Sequence, residues 1–161
     1  MDDKSKVVYL INKLGYSITN IKEQNKGFDS RIRIQKLVYL AKKLGIDFSY
    51  NFSMYIHGPY SPELTKDYYS LKERDFVSPK EDSNIDGIMK GLEILNQKDT
   101  IWLETAATIL DIKESNPGLP WENVLSHVSN IKSDILKQAG KDPEYVNSVK
   151  DDLEKLNLIS N

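Results

Sequence analysis

The chain has 161 residues, with 22 Lys/Arg against 24 Asp/Glu, a net charge of −2 and no cysteine. The missing cysteines exclude disulfides, thiolate metal sites and cysteine nucleophiles, and the near-neutral balance gives no global attraction to nucleic acid. A chain this long buries about 70% of its unfolded surface, which predicts one domain over 1–161 with no metal or disulfide staple.

No apolar run approaches the ~20 residues that span a bilayer. The opening MDDKSKVVYLINKL is charged and short in apolar run, unlike a secretory leader, so no membrane partner and a cytoplasmic location are expected. Charge is uneven: residues 1–50 carry ten Lys/Arg against five Asp/Glu, and the remainder twelve against nineteen. Such asymmetry arises from solvated faces or from a basic surface near the N-terminus.

Val7, Val8, Leu10, Ile11 and Leu14 form a helical stripe that ends at Gly15. Residues 17–28 are polar and do not declare an element. The clearest helix follows, opened by Asp29 or Ser30, with Ile34, Leu37, Val38, Ala41 and Leu44 on one face and Gly45 as its stop. Arg33, Lys36 and Lys43 fall on another face, within roughly 80° at 100° per residue. From Phe48 to Ile56 the period changes to two, predicting a strand over 48–56 with Phe48, Tyr50, Phe52, Met54 and Ile56 on its buried side. The stretch "DFVSP", 75–79, is expected to be extended and to pair with it. In between, Ser61 is placed to cap a helix, Pro62 suits its first position, and Glu63 meets the positive end of its dipole. Leu64, Tyr68 and Leu71 then follow at i, i+4 and i+7.

The second half, 84–161, reads as helices. Ile85, Ile88, Met89, Leu92 and Leu95 mark one, and Trp102, Ala106, Ile109 and Leu110 a second, opened by Asp99 or Thr100. After the loop "NPGLP", Trp121, Val124, Leu125, Val128 and Ile131 make a third apolar face. A short helix lies around 134–139. The last is expected to open at Pro143 behind Asp142, with Val146, Val149, Leu153 and Leu156 inward. The fold class expected is mainly α with a small β-element (α+β), a compact helical domain; a basic helix beside a small wing also makes a winged-helix-like reading available.

"HGPYSPEL" places His57, Ser61 and Glu63 close together, the raw material of a hydrolase. A capping hydroxyl makes a poor nucleophile, and no nucleophile elbow is present, so no catalytic residue is expected. His57 and His127 have no ligand spacing, and no phosphate-binding loop occurs, so neither metal nor cofactor is expected. Five of nine tyrosines lie between Tyr50 and Tyr69. Tyr55, His57, Tyr60 and Tyr69 are therefore the candidates for binding a partner protein, and amphipathic tyrosines at a core rim are the plainer reading. Arg31, Arg33, Lys36 and Lys43 are the candidates for DNA contact, if helix 29–44 enters a groove.

"RIRIQKLVYLAKKLGI" followed by "FSMYIHGPYSPELTKDYYSL" resembles the YwgA-like proteins and, more distantly, the Panacea (SocA-like) antitoxin domain. The matching residues are Gln35, Lys36, Leu37, Tyr39, Gly58, Pro59, Tyr60, Ser61, Glu63 and Leu64. The likeness covers residues 29–71, the motif core, and in part 100–135, where "WLETAATILDIKE" is similar to a later helix of the YwgA-like group. It implies a small helical fold with a short sheet and, from the Panacea side, neutralisation of a partner protein. The chain departs from the Panacea pattern in the aromatic residues that usually follow the Q-K-L helix, and neither family supplies a catalytic set.

Overall fold

In the computed structural model, which describes residues 1–160, Asp2 accepts the Ser5 N–H at 2.8 Å and opens α1 (Asp3–Lys13). Ser17 and Asn20 cap each other's backbone to start a short α2 (Ile18–Lys22), so the undeclared segment is helical in part. The next helix, α3 (Gly27–Lys43), begins two residues before the expected cap. Neither Asp29 nor Ser30 caps it. The Glu23 carboxylate reaches forward instead and accepts the N–H groups of Asn25, Lys26 and Gly27.

The expected strand over 48–56 is the main correction. Among the described residues only β1 (Ser53–Tyr55) and β2 (Gly58–Tyr60) pair, antiparallel, with Ser53 opposite Tyr60 and Tyr55 opposite Gly58. Phe48 and Tyr50 are buried in alternation as expected, yet they lie on a segment of no regular structure, without a neighbouring strand. Side chains satisfy its backbone in place of a ladder: Asp3 accepts from Ser49 N–H, Glu63 from Asn51 N–H, and Lys42 donates to the Tyr50 carbonyl. The alternation also fails at its end, where Met54 and Ile56 are exposed. Residues 75–79 supply no partner strand. Asp75 accepts the Lys72 N–H and nucleates α5 (Glu73–Val77), after α4 (Pro62–Ser70).

The second half is helical as expected: α6 (Ser83–Asn96), α7 (Thr100–Ser115), α8 (Trp121–Ile131), α9 (Ser133–Gln138) and α10 (Tyr145–Lys155). Asp82 and Asp99 cap α6 and α7. The last helix opens two residues later than Pro143, and Ile131 is exposed, not inward.

Two helices organise this mainly α arrangement. Burial is unbroken from Ile34 to Ala41 in α3 and from Trp102 to Leu110 in α7. Helices apolar on one stripe sit at a surface, whereas these two are enclosed all round. They pack on each other, and the β-hairpin lies against both through β2. One apolar core runs from Val7 through to Leu153. Among the described residues no helix is long and apolar enough to cross a membrane.

Candidate functional site

Each of the two enclosed helices carries a charged residue into the interior, Lys36 on α3 and Glu104 on α7, 1% and 3% exposed. Both face the turn of the hairpin. A third buried charge, Lys132, arrives from the junction of α8 and α9. Removing three such groups from water is costly unless each finds a partner.

The partners are one another and the hairpin backbone. Lys132 lies 3.6 Å from a Glu104 carboxylate oxygen and donates to the Ile56 carbonyl at 3.2 Å. The same oxygen, Glu104 Oε1, is 2.7 Å from His57 Nδ1. A carboxylate at Nδ1 selects the tautomer with its proton on that nitrogen. Lys36 donates to the Pro59 carbonyl at 2.6 Å. Beside it, Gln35 spans the next peptide unit: its amide nitrogen donates to the Ser61 carbonyl at 3.0 Å, and its oxygen accepts the Ser61 N–H at 2.9 Å. The side chains of "QK" on α3 thus hold the backbone of "HGPYS" in place.

Gly58 is required here twice over. Its φ of +93° lies in the left-handed region, and a Cβ would stand 2.8 Å from Thr108 Oγ1 and 3.4 Å from the Glu104 carbonyl. The turn therefore rests directly on the α7 backbone. Ser61 Oγ accepts the Leu64 N–H at 3.3 Å and is fully buried, so its hydroxyl caps α4 as expected, while His57 turns to Glu104.

Burial holds the Lys36 ammonium well below the usual lysine range, to about 7, with Glu104 opposing the shift and Lys132 adding to it. Burial lowers Lys132 as well.

Above the turn lies a pocket of about 430 Å³ between the start of α3, the hairpin and α4. Tyr55, His57, Tyr60 and Tyr69 all line it, so the four residues expected to bind a partner come together around one space. Tyr55 and Tyr69 are exposed; Tyr60 is half-buried, its ring edge-on to Tyr55 at 5.1 Å and its hydroxyl 2.6 Å from Thr65 Oγ1. The Arg31 guanidinium stands 5.8 Å from the Tyr69 ring centre. Phe28 meets His57 edge to face at 5.6 Å. Phe28, Tyr55 and Ile56, at the rim, are 52%, 54% and 83% exposed.

The four basic candidates do not form one exposed face, which corrects that expectation. Arg31 donates to the carbonyls of Ile21 and Glu23, tying α2 to α3. Arg33 donates to the Asn96 carbonyl and to the Tyr16 and Thr100 hydroxyls. Lys36 is interior, and Lys43 pairs with Glu114. Angular position on a helical wheel grouped Arg33, Lys36 and Lys43, but α3 is enclosed from Ile34 to Ala41 and opens only at its start.

Sequence reasoning missed Phe28, Ile56, Glu104 and Lys132. Two of these left a signal. Glu104 interrupts an otherwise apolar run, "WLETAATIL", in a helix enclosed on all sides. Lys132 continues the i, i+4 series of Val124 and Val128, which places it, and not Ile131, on the buried side of α8. His127 is exposed, and no cluster of metal-ligating side chains exists among the described residues. Comparison with protein-family models, with curated proteins and with solved structures returned no match.

Proposed function

We propose that this is a non-enzymatic, antitoxin-like binding protein that acts on a partner protein through the aromatic surface around the hairpin turn. One observation carries the reading. The turn is pinned from within by Lys36, Glu104, Lys132 and Gln35, and from that fixed base it holds Ile56 83% exposed, beside Met54, Tyr55, Phe28 and Tyr69. A rigid apolar tip loses little conformational entropy when covered, which is how interface anchors gain affinity. A turn under no such demand would put polar residues at its apex, since clustered apolar exposure favours association. The YwgA-like and Panacea-like motif residues agree with this division of labour: Gln35, Lys36, Gly58, Pro59 and Ser61 hold the turn.

The test is affinity capture of the tagged full chain from its own cell extract, with nuclease treatment, repeated with Ile56→Asp. A dominant protein that survives nuclease and is lost with Ile56→Asp is the expected result. Partners that vanish with nuclease, or that ignore Ile56→Asp, would overturn the reading and move attention to nucleic acid or to another face.

A further inference from the structure

The pocket beneath the exposed tip has a chemical bias that the apolar rim alone does not explain. Three basic side chains line it, Arg31, Lys36 and His57, and among the described residues no carboxylate does. Glu104 lies behind the turn and is occupied by His57 and Lys132. His57 Nδ1 is taken by Glu104, so with one proton on the ring Nε2 is an acceptor, and the donors that face a carboxylate are those of Arg31 and Lys36. In its charged form Lys36 has three N–H donors and places one on Pro59, and a carboxylate brought beside it favours that form.

Resting on the protein-binding reading above, we infer that the pocket takes an acidic segment of a partner polypeptide, with an apolar side chain seated among the tyrosines and a flanking carboxylate drawn to the basic wall. The volume, about 430 Å³, suits one or two side chains. The occupant is a polypeptide and not a small carboxylate because the rim of the pocket is apolar and open, with Phe28, Tyr55 and Ile56 at 52%, 54% and 83% exposed. A ligand confined to the pocket would leave that surface uncovered.

The test uses the full chain and a displayed library of random dodecapeptides. Selected peptides are expected to carry an aromatic or branched apolar residue next to Asp or Glu. Their affinity falls about tenfold with Tyr69→Ala, the scale of one anchoring side chain, and by a similar factor when their acids are replaced with Asn or Gln. Binding also weakens with salt, as charge contacts at an open pocket do. Tyr55→Ala, at another exposed position, serves as a second pocket variant. Peptides that depend on Tyr55 and Tyr69 but are neutral or basic would overturn the charge inference and leave the protein-binding reading standing. Peptides indifferent to both variants would count against both. Failure to select any peptide overturns the inference alone, since the capture experiment tests partner binding separately. Self-association of the chain abolished by Ile56→Asp would assign the surface to a second copy and overturn it too.

Discussion

The hairpin region and the C-terminal helices are stabilised by different physics. Around the turn, backbone carbonyls are held by buried Lys36, Lys132 and Gln35, and the charges are balanced on Glu104. In α8 and α10, stripes of Val124 and Val128, and of Val146, Val149 and Leu153, do the packing, while Lys113 and Lys150 lie over the Trp121 ring at 5.0 and 4.9 Å. Apolar packing is forgiving of small shifts because it is non-directional. A buried polar network is not, because every donor left unmet is a loss. The first kind suits a scaffold, and the second suits a turn whose shape must not vary.

Substitutions separate the two regions. Glu104→Ala leaves Lys36 and Lys132 buried without a counter-charge and should cost about 3–5 kcal/mol by denaturant unfolding, as loss of one member of a buried ion pair does. A loss well under that would mean that the lysines release their protons or that water reaches the cluster.

The network should also give the protein a pH dependence that its apolar stripes cannot. Lys36 sits at about 7 in the fold and at 10.5 in an exposed chain. Between these values the unfolded chain binds a proton that the native one does not, so stability rises with pH from about 7, by up to about 1.4 kcal/mol per pH unit. Lys132, shifted the same way, adds to the slope. Toward pH 10 the trend reverses, because Tyr9 and Tyr145 are pushed up to about 12 in the fold and stay protonated there. Lys36→Met should flatten the rise between pH 7 and about 9.5, while Leu153→Ala, costing about 2–5 kcal/mol, should lower stability in parallel with the parent.

Gly58→Ala adds a Cβ 2.8 Å from Thr108 Oγ1 at a positive φ, and about 1–3 kcal/mol is expected. Ser61→Ala removes the α4 cap for ~1 kcal/mol. Smallest of all, Ile56→Ser at the exposed tip should change stability by no more than ~0.5 kcal/mol while removing partner binding. Equal losses of stability and binding at Ile56 would erase the distinction between a held base and a presented tip.

Much of this was legible in the order of residues. The helices over 84–96 and 121–131 follow from period 3.6, because a one-sided apolar stripe needs only a neighbour and not a particular one. Ser61 and Pro62 announced α4 because capping is a local transaction among adjacent residues. The 48–56 strand failed for the opposite reason. Period two reports which side chains are buried, and Phe48 and Tyr50 are; whether the backbone finds a second strand depends on residues elsewhere, here Asp3, Lys42 and Glu63.

Sequence alone therefore determined the helical class and the Ser61–Pro62 start of α4, which depend on neighbours within a few positions. Tertiary structure decided the rest. It turned Lys36 inward and gave it Pro59 as a partner, brought Glu104 and Lys132 from 68 and 96 residues downstream of Lys36 to the same turn, and left Ile56 in solvent where the pattern had it buried. Burial of a charge and exposure of an apolar side chain are set by what three distant segments present to one another, and no local period encodes that.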